Sequence, residues 1–291
     1  VSQPEIVEVR TRDGVRLHTE LWRPSGAPKF VVVIVHGGAE HVGRYARLAA
    51  ELNAMGGLVL GPDHRGAGRS GGAPGHVESF EQYADDLLLV MREHAAKLDA
   101  ASQPDALPWF LWGHSMGGLI TLGYLIDHQR DFPLRGALVS APLLGLTMKV
   151  GALKRFAVLG VAKLLPKLEV PTGIPPEYIC RDPAEVERYR HDARRITTVT
   201  PRWAVAMEDA MARVAREAAR IELPMYWYLG TGDKIVDAEV TQQVFASLTH
   251  AKQRDQMMKV WPGYYHELHN EPDDLREPVM KACREWLSAR L

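Results

Sequence analysis

Six consecutive residues, Phe30-Val31-Val32-Val33-Ile34-Val35, carry no polar side chain. So continuous a β-branched run has no solvent face, so it reads as a strand covered on both sides, as in a parallel sheet. It is too short to cross a bilayer, which takes about 20 apolar residues. A sheet buried on both faces needs helices above and below it, and the following segments supply them in alternation. Tyr45 to Met55 is patterned as a helix and Gly57 to Leu60 as a short strand. Ser79 to Leu98 sets Phe80, Tyr83, Leu87, Val90, Met91 and Leu98 on one helical stripe. Trp109 to Trp112 reads as strand, Met116 to His128 as helix and Gly136 to Val139 as strand. Ahead of the apolar run, Val7-Glu8-Val9 and Val15 to Leu21 alternate around Asp13-Gly14, the pattern of an antiparallel hairpin.

The rhythm stops near Pro142 and resumes after Leu223, with Met225 to Leu229 and Met257 to Trp261 as strands and Ala238 to Leu248 and Asp274 to Arg290 as helices. Between lie helical patterns and Pro-rich joints, with no convincing buried strand. The expected organisation is an α/β core formed by residues 1–141 and 224–291, with a mostly parallel central sheet flanked by helices, and a helical cap inserted at 142–223.

Composition excludes several classes. A formal net charge of -1 without long like-charge runs gives no footprint for nucleic acid. Two cysteines, Cys180 and Cys283, are too few for a disulfide framework and read as reduced thiols, which fits a cytoplasmic location. No H-E-x-x-H, C-x-x-C or His/Cys cluster has metal-ligand spacing, so no metal is expected. No secretory signal pattern is visible, and because the chain opens on Val1, removal of an earlier segment is left open.

Chemistry is concentrated at three strand ends. Gly113-His114-Ser115-Met116-Gly117-Gly118 follows one strand and opens a helix, a G-x-S-x-G in strand–turn–helix context. A serine on so sharp a turn projects its hydroxyl into a cleft, and glycines on either side avoid collision. That hydroxyl needs a neighbouring base, and the base an orienting carboxylate. On this kind of sheet the order is Ser, acid, His. Asp233 ends Tyr226-Trp-Tyr-Leu-Gly-Thr-Gly-Asp, and His266 ends Lys259-Val-Trp-Pro-Gly-Tyr-Tyr-His. Asp237 competes as the acid but suits the N-cap of the helix starting near Ala238. His269 competes as the base, and His266 is favoured because it comes first after its strand and loop. A tetrahedral intermediate also needs two N–H donors. Met116, directly after the nucleophile, and Gly38, in the loop after the Phe30 strand, are the candidates.

Together the His36-Gly-Gly-Ala-Glu-His-Val-Gly-Arg-Tyr45 loop, the Asp63-His-Arg-Gly-Ala-Gly-Arg-Ser70 stretch, the GHSMGG elbow, the Gly230-Thr-Gly-Asp233 turn and the Tyr265-His-Glu-Leu-His-Asn-Glu271 segment resemble the monoacylglycerol lipase and lysophospholipase family of α/β-hydrolases. The resemblance covers nearly the whole chain outside the insertion. It implies the α/β-hydrolase fold, a triad of Ser115, Asp233 and His266, oxyanion donors at Gly38 and Met116, a cap over the site, a small lipid ester as substrate and no cofactor. It also places Glu40, Arg44 and His269 near the leaving group, as contacts for a glycerol head group. A structural ion pair between Glu40 and Arg44 is the alternative. One departure is Ala67, where the family has histidine, in a stretch read as a structural loop.

In the cap, Val150 to Leu165 is mostly apolar but interrupted by Lys154, Arg155 and Lys163. It reads as a cap helix over an acyl pocket, with a transient contact to a membrane surface left open. Thr200 to Arg220 is a second helix, whose Val205, Met211 and Val214 line the cleft or pack the cap. Acyltransferase, thioesterase and C–C hydrolase chemistry would use the same triad. Aminopeptidase activity would need acidic cap groups, and Glu169, Glu177 and Glu185 are available without being tied to the site. A ligand receptor on the same scaffold is the non-enzyme alternative. Chain-length preference and oligomeric state are not encoded in any motif.

Overall fold

A computed structural model describes residues 3–99, 107–148, 160–248 and 250–291. Strand β1 (Glu5–Arg10) pairs antiparallel with β2 (Arg16–Trp22), and β2 runs antiparallel to β4 (Gly57–Pro62). Every later pairing of the large sheet is parallel, through β3 (Phe30–Val35), β5 (Trp109–His114), β6 (Leu134–Ser140), β9 (Met225–Gly230) and β10 (Gln256–Trp261). The strand order is β1-β2-β4-β3-β5-β6-β9-β10. All of β3 is buried, as its unbroken apolar run requires.

Alternate residues of β3 serve opposite layers. Val31, Val33 and Val35 join one core with Leu87 and Met91 of α2 (Glu81–Asp99) and Leu119 and Leu122 of α3 (Met116–His128). Val32 and Ile34 face the other way, towards Leu48 and Leu52 of α1 (Ala46–Ala54) and a stripe of the last helix, Asp273–Ser288. That stripe, Val279, Met280, Cys283, Trp286 and Leu287, has the three-to-four spacing of one helical face. Each such side chain contributes roughly 1.5–3 kcal/mol by leaving water. The result is a sheet buried on both faces, with the loops that carry the candidate residues leaving its strand ends.

Between β6 and β9 the chain leaves the sheet. The described part contains α4 (Pro183–Arg190) and α5 (Pro201–Glu217). A two-residue antiparallel pairing of β7 (Val170–Pro171) with β8 (Thr198–Val199) is not buried. The helix expected at Val150 to Leu165 falls mostly outside the described residues, of which 160–164 are helical. Helix α5 starts at Thr200, whose hydroxyl accepts from the Trp203 amide. Its Val214 is buried in the same core as α3, and Met211 packs partly against that core, so this face seats the insertion on the body of the molecule. Helix α6 (Ala238–Ala246) follows β9, and Asp273–Ser288 is α7. The helix expected from Tyr45 begins as a 3-10 turn over Val42–Tyr45 before α1. Both cysteines are free and buried.

Candidate active site

Ser115 stands between β5 and α3 with φ 54° and ψ -120°. A non-glycine residue there costs of order 1–3 kcal/mol, so the surroundings must impose it. They do: the Ser115 amide donates to Ser140 O at 2.9 Å, and its carbonyl accepts from the amides of Leu119 and Leu143. The flanking glycines are steric necessities. A Cβ at Gly117 would collide with the carbonyl oxygens of Val35 and His36, and one at Gly113 with Thr121 Oγ1 and Gly117 O. The elbow is therefore wedged against the end of β3, the strand that feeds the loop carrying Gly38. A Cβ on Gly38 would lie 3.8 Å from Met116 Cβ, so the two candidate oxyanion donors are neighbours in space.

The candidate acid and base meet across a different pair of strand ends. His266 Nδ1 lies 2.6 Å from Asp233 Oδ2, and both side chains are buried. The other carboxylate oxygen, Oδ1, accepts from the amides of Ile235 and Val236 at 2.8 and 2.9 Å, which fixes the carboxylate plane. Burial disfavours the imidazolium, but the charge and hydrogen bond of Asp233, with Glu267 and Glu40 behind it, outweigh burial and raise the His266 pKa above its ordinary value. Asp237 instead caps α6, accepting from the amides of Glu239 and Val240. The His114 ring, next to the serine in sequence, lies 4.6 Å from the His266 ring and pairs with Ser140 Oγ at 3.3 Å. Burial pushes His114 well below the ordinary imidazole range.

Residues 26–273 match the serine aminopeptidase S33 family. The chain is 30% identical over 295 residues to a monoglyceride lipase of Mus musculus, covering 100% of this chain and 93% of that protein. It is 33% identical to phospholipase YtpA of Bacillus subtilis, covering 88% and 94%. The crystal structure of a Paleococcus ferrophilus monoacylglycerol lipase superimposes with a TM-score of 0.80 at 29% identity, covering 94% of this chain and 99% of that one. The chain belongs to this family of α/β-hydrolases. It is a carboxylic ester hydrolase of the monoacylglycerol lipase and lysophospholipase type.

In this hydrolase the residues expected at the head group have different surroundings. Glu40 Oε1 accepts from the Gly37 amide at 2.5 Å and from Tyr45 Oη at 2.8 Å, and its Oε2 accepts from Arg44 at 2.8 Å. Arg44 also makes a two-pronged pair with Glu267, at 2.6 and 2.7 Å. All three side chains are buried. Desolvation raises the Glu40 pKa despite Arg44, whereas the guanidinium holds Glu267 down to about 2. The geometry is that of the structural ion pair weighed above, enlarged by a second carboxylate. Glu267 was missed because a glutamate in the polar-looking Tyr265–Glu271 segment reads as exposed. Its place immediately after the base was the available signal. His269 is buried and stacks on Tyr45, with ring centroids 5.1 Å apart, and neither ring nitrogen has a hydrogen-bond partner. Burial drives its pKa down to about 3.

The Asp63–Ser70 stretch is a structural staple. Asp63 accepts from the amides of Val42 and Arg69, and Ser70 Oγ donates to Asp63 O. Among the described residues no group of His, Cys, Asp and Glu is arranged to hold a metal ion. No described helix is long and apolar enough to cross a membrane.

Proposed function

We propose that the chain hydrolyses single-acyl lipid esters, monoacylglycerols foremost, through an acyl-enzyme on Ser115. The observation that carries this is the strained Ser115 elbow together with the buried His266–Asp233 pair. His266 Nε2 takes the Ser115 proton as Oγ attacks the ester carbon. The amides of Gly38 and Met116 stabilise the oxyanion, and Asp233 holds the tautomer and stabilises the imidazolium. The imidazolium then protonates the departing alcohol. Water, deprotonated by the same histidine, attacks the acyl carbon, the bond to Ser115 Oγ breaks as the imidazolium returns its proton to that oxygen, and the fatty acid leaves.

The substrate class follows the relatives, since lipases and phospholipases that act on glycerol esters align along almost the full chain. On the alcohol side, His269 suits a hydroxyl contact, because two unpartnered ring nitrogens in a buried place invite one. Glu40 and Arg44, committed to Glu267 and to each other, belong to the framework around that contact. An aminopeptidase would need free cap carboxylates, but Glu177 pairs with Arg190, Glu185 with Arg188, and Glu169 accepts from Thr198. Buried unpaired cysteines favour a cytoplasmic setting, with the cap as the side that touches a lipid surface.

Hydrolysis of mono- and diacylglycerols, lysophospholipids and p-nitrophenyl esters tests the substrate class. Monoacylglycerol is expected to be turned over best among the lipids. His269→Ala should slow monoacylglycerol hydrolysis at least about tenfold more than hydrolysis of the p-nitrophenyl ester of the same acid, which has no hydroxyls to satisfy. Equal losses on both esters would remove His269 from the head-group site.

A further inference from the structure

Arg44 joins three parts of the chain that carry separate pieces of the reaction. Towards the oxyanion loop it holds Glu40, which accepts from the Gly37 amide one residue before Gly38. Towards the base loop it holds both carboxylate oxygens of Glu267, the residue after His266. Towards the cap its guanidinium lies 4.7 Å from the Tyr189 ring of α4. Glu267 is anchored further by Asn270 Nδ2 at 2.8 Å, and its amide donates to Ile179 O of the cap at 2.7 Å.

The sheet alone does not set the spacing of these loops. The oxyanion loop leaves β3 and the base loop leaves β10, and β5, β6 and β9 stand between those strands. Yet the reaction needs both loops at one carbonyl. During acylation a cation forms on His266 while an anion forms beside Gly38, and an error of 1 Å in such a geometry costs up to about a hundredfold in rate. A bidentate arginine–carboxylate pair has the fixed geometry to hold that spacing.

We propose that Glu267 is a positioning residue for the catalytic base, which through Arg44 holds the His266 loop in register with the Gly38 loop and with the cap. This rests on the reading of Ser115 as nucleophile and His266 as base. Glu267 acts in a second way, through its charge. The charged and titratable groups around His266 are Asp233 from the turn after β9, Glu267 on its own loop, Glu40 and its partner Arg44 from the oxyanion loop, and His114 and His269, which burial holds below the ordinary imidazole range. The Arg181–Glu271 pair closes the far end of the base loop, where Glu271 also accepts from the Tyr265 amide. Of these, Asp233, Glu267 and Glu40 all favour the imidazolium. Removing the Glu267 charge therefore lowers the His266 pKa and moves the acid limb of the rate profile to lower pH.

The test compares Glu267→Ala and Glu267→Gln with wild type on a p-nitrophenyl ester across pH. The alanine variant should lose on the order of tenfold in kcat with KM within about twofold, since positioning acts on the transition state. Glutamine keeps the shape and one acceptor for Arg44, so it should recover most of kcat while shifting the acid limb of kcat/KM down by about half a pH unit. Wild-type kcat in the alanine variant, or a wild-type acid limb in the glutamine variant, overturns the proposal. If the alanine variant fails to fold, the glutamine profile decides. A fluorophosphonate adduct on Ser115 of the wild-type enzyme tests the underlying reading separately. Its absence would strike the nucleophile assignment rather than the clamp.

Discussion

Asp233 and Asp237 lie four residues apart, yet their carboxylates have different partners. Asp233 gives one oxygen to two amides and the other to His266, whereas Asp237 spends its own on the first amides of α6. Asp233→Asn should therefore lower kcat on the order of a thousandfold or more, because the amide cannot stabilise the imidazolium. Asp237→Asn keeps a good N-cap and should stay within about twofold of wild type. Steady-state kinetics of the two variants check this, and the reverse pattern would exchange their roles. The sign of the pH dependence follows from the same pair. His266 must be neutral to act as a base, and its pKa is raised above 6.5. Activity should thus fall on acidification at a higher pH than for an unperturbed imidazole, and a rate that stays level on acidification through the imidazole range would contradict the assignment.

At the scale of elements, the β5–α3 elbow is held by contacts that only glycine allows. Gly117→Ala pushes a methyl into the carbonyls of Val35 and His36, backbone atoms at and just past the end of β3 that cannot turn aside. It should cost at least about 2 kcal/mol, the range of severe overpacking. Gly123, later in the same helix, has open space where a Cβ would go, so Gly123→Ala should be neutral or stabilise by up to about 1 kcal/mol. Urea denaturation of the two variants compares them directly, and similar midpoints would show that the elbow is not wedged as described. The strands and helices of the core were legible because their burial is written in periodicity. The Phe30–Val35 run maps residue for residue onto β3, and the stripe from Tyr83 to Leu98 falls on α2, with Phe80 just ahead of its start. The insertion between β6 and β9 was less legible. Its α4 buries only Tyr189, and one side chain leaves no period to read.

Over the whole molecule, chemistry written along one strand-to-loop transition could be read, and chemistry written between loops could not. Ser115, Asp233 and His266 each follow a strand at a turn, so order and spacing mark them. Arg44 and Glu267 meet across 223 residues of sequence. Neither has a local pattern, and their pairing appears only once the sheet brings the two loops together. The same holds for His41 Nε2, which lies 2.7 Å from Asp192 Oδ2 and ties the loop after β3 to the insertion between β6 and β9. The resemblance to lipases suggested Glu40 and Arg44 as head-group contacts, but their hydrogen bonds run inward. On the reading proposed here, one serine, Ser115, carries the chemistry of the whole chain. Stoichiometric treatment with a fluorophosphonate, followed by peptide mass analysis alongside monoacylglycerol turnover, tests it most directly. A single adduct on Ser115, gained in step with the loss of turnover and absent from Ser115→Ala, is the predicted result. Full turnover by the Ser115→Ala variant, or inactivation with the adduct on another residue, would contradict it.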